Sequence, residues 1–171
     1  MIKIVKATES DVFAIARIGR QSFLEAHKAS APEEILNTYL DNKFTNKIIR
    51  TELADSSNHF YLIYYNNNIA GYSKIVFDGM HANIRSNQTT KLERLYLLKE
   101  FYGYQLGYKL YQFNLALSKK NNQKGMWLFV WVENERALNF YKKIGFKIVG
   151  LHDFEISATH SNPNHQMLLT Y

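Results

Sequence analysis

The sequence predicts an α/β (α+β) chain, a mixed sheet with helices on both faces. Three observations predict it. Strand-like and helix-like stretches follow one another in the order β-α-α-α-β-β-β-α-β-α-β-β. The stretch Leu92–Leu110, LERLYLLKEFYGYQLGYKL, joins a buried strand to a helix through a turn bearing Gly103 and Gly107. The chain has 171 residues and 46% hydrophobic content, enough to bury a core as one domain spanning 1–171.

The elements follow in order. Ile2–Lys6 alternates and reads as a strand. Thr8 and Asp11 have the spacing of a capping box, and Val12, Ile15, Ile18 and Phe23 form a helical face running to about His27. Ser30, Pro32, Glu33 and Glu34 open a second helix that ends near Asn42. Thr45 caps a third, through about Leu53. Phe60–Tyr65 and Ile69–Phe77 flank Asn66-Asn67-Asn68, a strand–turn–strand signal. Asp78–Gln88 is polar and reads as a loop. Leu92–Leu98 is a strand, and Leu106, Leu110, Phe113 and Leu117 are the apolar stripe of the helix that follows. Met126–Val132 is a buried strand. Asn134 caps a helix whose apolar face is Ala137, Phe140, Tyr141 and Ile144, with Lys142 and Lys143 in its last turn and Gly145 at C′. A strand starts at Phe146, Ser157–Asn164 reads as a hairpin connection, and His165–Tyr171 returns as the last strand.

Composition excludes several chemistries. There is no cysteine, hence no disulfide, thiolate metal site or cysteine nucleophile. No apolar run approaches a membrane span, and Met1–Lys6 lacks a signal-peptide core, so the expected location is the cytoplasm. The net charge is +6, but no Lys/Arg run exceeds two residues, which points to solvated faces rather than a nucleic-acid surface. The six histidines show no helical metal-ligand spacing, so no metal is expected. A strand feeding a glycine-bearing turn and a helix aims unpaired backbone N–H groups at an anion such as a phosphate.

Two motifs carry a family resemblance. Tyr102-Gly103-Tyr104-Gln105-Leu106-Gly107 is similar to the Arg/Gln-x-x-Gly-x-Gly/Ala turn of motif A in the GNAT superfamily of N-acyltransferases; the last glycine is kept, while Tyr102 and Gln105 depart from the pattern. The run from Asn134 to Phe146 matches Asn-x-x-Ala-x-x-x-Tyr-x-x-x-Gly-Phe, that superfamily's motif B, in full. Trp127–Asn134 and Gly150–Phe154 further resemble the PaiA-type polyamine acetyltransferases of bacteria, as do Ser22–Glu25, Tyr39-Leu40 and Gly71–Lys74.

The resemblance implies a mostly antiparallel sheet with one splayed strand pair and direct transfer of an acetyl group from acetyl-CoA to a primary amine. It places the pantetheine arm against the backbone of Leu95, Tyr96 and Leu97, where a bulge would free strand groups to pair with it. It places the pyrophosphate on the N–H groups of Gly103, Tyr104, Gln105, Leu106, Gly107 and Tyr108, and gives Asn134 a cofactor contact beside its cap. Tyr141 falls at the general-acid position. A thiol has a pKa near ~8.5 and a phenol near ~10, so the phenol can protonate a leaving thiolate. Glu93 is the candidate base: an amine of pKa about 10.4 is almost wholly protonated at neutral pH. On composition alone Glu93 could equally pair with Arg94 or Lys91, and Tyr141 could be a core aromatic. His152 reads as support for the site. The implied acceptor is a small polyamine such as spermidine or spermine. The alternatives are a protein lysine or N-terminal amine, or a non-catalytic acyl-CoA-binding module. A homodimer is compatible with the sequence.

Overall fold

From its amino terminus the computed structural model, which describes residues 1–171, runs β1 (Ile2–Lys6), α1 (Val12–His27), α2 (Glu33–Lys43), α3 (Asn46–Ala54), β2 (Asn58–Tyr65), β3 (Asn68–Val76), β4 (Thr89–Leu97), α4 (Leu106–Lys120), β5 (Gly125–Trp131), α5 (Glu135–Lys143), β6 (Lys147–Ser157) and β7 (His160–Thr170). The strands hydrogen-bond in the order β1-β2-β3-β4-β5-β7-β6. β1/β2, β5/β7 and β6/β7 pair antiparallel, whereas β4/β5 is parallel. No helix is long and apolar enough to cross a membrane. The chain divides into two compact units, Met1–Ile75 with Arg94–Asn114, and Val76–Glu93 with Leu115–Tyr171.

In the first unit the polar punctuation of the sequence works locally. The Asp11 carboxylate accepts from the Thr8 N–H at 2.7 Å, and the Thr45 hydroxyl accepts from the Ile48 N–H at 3.2 Å. Asn66 and Asn67 turn β2 into β3 with φ of 46° and 67°, the left-handed pair of a two-residue hairpin. Ile15, Ile18, Leu36, Leu40, Ile49, Leu62 and Ile63 are the buried core. Neighbouring residues of β3 point to opposite faces and identify what covers each. The Ser73 hydroxyl donates to Asn114 of α4 at 3.2 Å, while the Lys74 ammonium lies 3.4 Å from Glu52 of α3. Helices therefore cover both faces.

Beneath β3 and β4 lies a charged group that sequence pattern did not disclose. Arg94 is buried, 9% exposed, where the scatter of cations predicted a solvated residue. Its two terminal guanidinium nitrogens donate to the Glu52 carboxylate at 2.7 and 2.9 Å, and the guanidinium sits 5.1 Å above the Phe44 ring. Burial alone would lower the Arg94 pKa; Tyr72 and the hydrogen-bonded Glu52 carboxylate raise it, and the net shift is upward, which keeps the group charged. The Tyr72 hydroxyl beside it is fully buried, and burial raises its pKa so that the phenol stays neutral.

In the second unit β5 pairs with β7 along the whole of β5, Gly125↔Thr170 to Trp131↔Asn164. The Thr90 and Ser118 hydroxyls bond at 2.6 Å, and the Tyr171 hydroxyl also bonds Ser118. Three boundaries or faces differ from expectation. β4 begins at Thr89, because polar Thr89 and Thr90 are buried and find partners in the Gly79 carbonyl and Ser118. β7 begins at His160, and only Ala158 and Thr159 connect it to β6. Ser161, Asn162, Pro163 and Asn164 look like loop residues but pair with Glu155, Phe154, Asp153 and His152 across the hairpin, and the Pro163 carbonyl accepts from Val132 N–H at 3.0 Å. The buried line of α4 is Leu106, Leu110, Asn114 and Ser118, not one ending at Phe113 and Leu117, because the two polar members bond strand hydroxyls.

Removing Glu52 leaves Arg94 and Lys74 as buried cations without their shared carboxylate. Glu52→Ala should cost on the order of 3 kcal/mol, whereas Lys74→Met, which keeps the Arg94–Glu52 pair, should stay within about 1 kcal/mol of wild type. Urea unfolding followed by circular dichroism compares them; equal losses would contradict this account.

Candidate active site

The residues expected to hold the cofactor in the first unit are contiguous in the fold. Leu95, Tyr96 and Leu97 end β4, a 3₁₀ turn at Lys99–Phe101 follows, and Gly103, Tyr104 and Gln105 lead into α4, which starts with Leu106, Gly107 and Tyr108. The Leu97 side chain packs on Gly107, within 3.2 Å of where a β-carbon there would lie. Gly103 has φ of +87° and open space around it. Gln105 has φ of +58°, a left-handed conformation that the family turn gives to glycine, and its carbonyl accepts from Lys109 N–H at 3.1 Å. Gln105 therefore keeps the backbone of the glycine turn without the glycine. Tyr104 and Tyr108 are exposed at 51% and 41%, and the Tyr104 ring leans on Tyr65 at 4.8 Å.

Gly71 is a positioning residue that the sequence marked only by resemblance. A β-carbon there would come within 2.1 Å of the Tyr96 carbonyl oxygen, so β3 approaches the end of β4 as only glycine permits. From the other side the Ser22 hydroxyl of α1 donates to the Leu97 carbonyl at 3.4 Å.

Strand β4 itself carries an irregularity. Thr90 and Arg94 have the same parity, yet Thr90 bonds Ser118 of α4 and Arg94 bonds Glu52 of α3. Leu97, of the other parity, packs toward α4. Since α3 and α4 cover opposite faces, the strand turns over by one residue between Thr90 and Arg94, which is a β-bulge. Registered pairing of β4 with β5 ends at the same place, at Lys91↔Trp127.

In the second unit Glu93 lies at this bulge, with its carboxylate 3.6 Å from the Lys91 ammonium. Lys91 lies 5.4 Å above the Trp127 ring, and Trp127, Phe129, His81 and His152 form one ring cluster. His152 stacks on Phe129 at 4.4 Å, an arrangement that the isolated Gly-x-His-x-Phe pattern could not reveal. No group of three His, Asp or Glu residues is placed to hold a metal ion.

Helix α5 is fixed at both ends. The Asn134 side chain accepts from Ala137 N–H at 3.2 Å. At the other end Phe146 N–H donates to the Tyr141 carbonyl at 3.0 Å and Gly145 N–H to Lys142 at 3.1 Å, a Schellman closure with Gly145 at φ of +101°. The buried residues of the helix are Leu138 and Tyr141, while Ala137, Phe140 and Ile144 are half-buried. The Tyr141 ring meets Phe140 and Phe146 at 5.2 and 5.5 Å and is 9% exposed.

The chain belongs to the acetyltransferase (GNAT) family, whose profile matches residues 20–146. An uncharacterized N-acetyltransferase of Lactobacillus delbrueckii subsp. lactis is 29% identical over 154 residues, 90% of this chain and 88% of that protein. Among solved structures, the PaiA N-acetyltransferase of Thermoplasma acidophilum in complex with coenzyme A superposes with a TM-score of 0.80 at 21% identity, covering 100% of this chain and 99% of that one. A ribosomal-protein-alanine N-acetyltransferase of Escherichia coli gives 0.72 at 14% identity, covering 99% and 94%. The spermidine/spermine N-acetyltransferase of Vibrio cholerae gives 0.68 at 16%, covering 99% and 95%. These likenesses bear on the fold.

Gln105→Gly should relieve the left-handed backbone while preserving the N–H. The expected result is a melting temperature equal to wild type or higher, by up to about 1 kcal/mol of stability, with coenzyme A affinity kept or improved. A loss of affinity beyond about tenfold, roughly 1.4 kcal/mol, would mean that the Gln side chain itself binds.

Proposed function

We propose that this chain is a cytoplasmic, PaiA-type enzyme that acetylates a small polyamine such as spermidine or spermine, with residues 1–171 acting as one acetyltransferase domain. Acetyl-CoA supplies the acetyl group as an activated thioester. The observation that carries the reading is the bulge of β4 at the point where its pairing with β5 stops. A strand released from its neighbour has backbone groups to offer an amide-bearing arm, which is the role assigned to Leu95, Tyr96 and Leu97. The turn from Gly103 to Tyr108 offers N–H groups to a pyrophosphate, and its two positive-φ residues keep that backbone exposed.

Two residues of the second unit are given the proton transfers. Glu93 takes the proton of the ammonium acceptor, directly or through water. Its carboxylate is half-buried, at 27% exposure, and already faces a cation in Lys91, so an ammonium group suits the same place. The Trp127–Phe129–His152 cluster beside that ion pair gives an alkyl-ammonium chain ring faces to lie on. Tyr141 donates its phenolic proton to the departing thiolate, and Asn134, besides capping α5, contacts the cofactor. The acceptor of the Vibrio enzyme is a polyamine and that of the Escherichia enzyme a protein amine, so the polyamine choice rests on the motif resemblance and the Glu93 surroundings.

A thiol-release assay with acetyl-CoA against spermidine, spermine, a lysine peptide and an alanine-terminated peptide tests the substrate. Fastest turnover on the polyamines is expected; preference for a peptide would replace that assignment, and no turnover with any amine would favour a binding module. Tyr141→Phe tests the acid. It should fold normally and bind acetyl-CoA within a few-fold of wild type, yet turn over at least about tenfold more slowly. Normal turnover would make Tyr141 a core aromatic.

A further inference from the structure

Lys91 is held in place rather than solvated. It is the last residue of β4 in register with β5, opposite Trp127. Its stem runs against Gly79, where a β-carbon would come within 3.0 Å of the Lys91 β-carbon. Gly79 is itself fixed. Its N–H donates to the Thr89 carbonyl at 2.7 Å, and its carbonyl accepts from the Trp127 indole N–H at 2.8 Å. The ring so oriented lies 5.4 Å from the Lys91 ammonium, and the Glu93 carboxylate lies 3.6 Å from it. The Lys91 side chain keeps 31% exposure, so its end is open to solutes. All of these residues belong to the second unit.

These are the surroundings that an acceptor amine requires. A primary amine with a pKa near ~10.4 must lose a proton before it attacks, and a carboxylate beside it can take that proton. An aromatic face together with a carboxylate also holds an alkyl-ammonium group before transfer. Lys91 is a primary alkyl-ammonium group carried on the same strand as the candidate base. Tethering of this kind replaces a bimolecular encounter with an intramolecular one. Lys74, which pairs with Glu52, has no comparable access: it is buried and lies in the first unit.

We propose, resting on Glu93 as the base of the acetyltransferase described above, that the chain acetylates its own Lys91 with acetyl-CoA as donor. Glu93 takes one proton from the Lys91 ammonium. The freed Nζ attacks the thioester carbonyl, the N–C bond forms and the C–S bond breaks. The departing thiolate takes the phenolic proton of Tyr141, and the second proton shed by the nitrogen restores the phenol through solvent. Glu93 then returns its proton to solvent. The products are an Nζ-acetylated Lys91, coenzyme A as the thiol and one proton. The modified side chain is neutral, so the cation it now sets against Glu93 and Trp127 is gone.

Mass spectrometry of the intact chain with peptide mapping, after incubation with excess acetyl-CoA, tests it. Lys91 should gain one acetyl group at least about tenfold faster than Lys120, an exposed lysine of α4 that reports background acetylation. The rate per chain should not change when the protein is diluted. Glu93→Gln should slow the Lys91 reaction at least about tenfold and leave Lys120 unchanged. The amine that turns over fastest in the thiol-release assay should, at saturation, protect Lys91. Turnover on added amines with Lys91 modified no faster than Lys120 overturns the proposal and leaves the acetyltransferase reading standing. A chain that releases no thiol to any amine and leaves Lys91 unmodified overturns both. A rate per chain that falls on dilution, an equal rate in Glu93→Gln, or no protection by a saturating amine also overturns self-acetylation at this site.

Discussion

Strand β4 has to satisfy helices on opposite faces with residues of the same parity, and that constraint sets the course of the strand. Thr90 is committed to Ser118 of α4 by a buried hydroxyl pair. Arg94 is committed to Glu52 of α3 by a two-pronged ion pair that cannot be abandoned without stranding a buried charge. A regular strand cannot honour both, so the strand turns over between them. The bulge is thus held by two anchors, each of which would leave buried polar groups unpaired if released. Glu93 lies at the irregularity and Leu95–Leu97 follow it. The residues proposed to meet substrates are placed by a conflict that packing alone resolves.

The candidate cofactor turn shows how a site survives loss of its signature residue. The family pattern asks for glycine where this chain has Gln105, and the backbone there is nevertheless left-handed. Gln105 can take this conformation because it is exposed and the left-handed region costs a residue with a β-carbon only modestly. Gly71 could not be exchanged in that way, since the Tyr96 carbonyl occupies the space a side chain needs. One position tolerates substitution because its constraint is torsional and modest, while the other excludes it by contact.

What was legible in the sequence was local. Thr45 and Asn134 cap their helices, Gly145 ends α5, and Asn66-Asn67 turn the hairpin, because each depends on groups only a few residues away. The family motifs were legible for the same reason, being short and contiguous. What stayed hidden were polar residues whose partners are distant in the chain. Asn114 and Ser118 interrupt an apolar stripe and so suggest a solvent face, yet strand hydroxyls dozens of residues away bring them inside. Arg94 reads as surface until Glu52 arrives 42 residues upstream. Pro163 and its polar neighbours look like loop until β6 is beside them. Single-sequence patterns register a side chain's preference and not the partner that changes it.

Trp127 and Trp131, the two tryptophans of the chain, both lie on β5 and both are buried, at 2% and 7% exposure. The first unit holds none. Intrinsic indole emission is therefore a built-in optical label for the second unit, while far-ultraviolet ellipticity records the helices and strands of both. During denaturation the two signals watch different parts of one polypeptide, and the separation of their midpoints reads out directly how cooperatively the halves come apart.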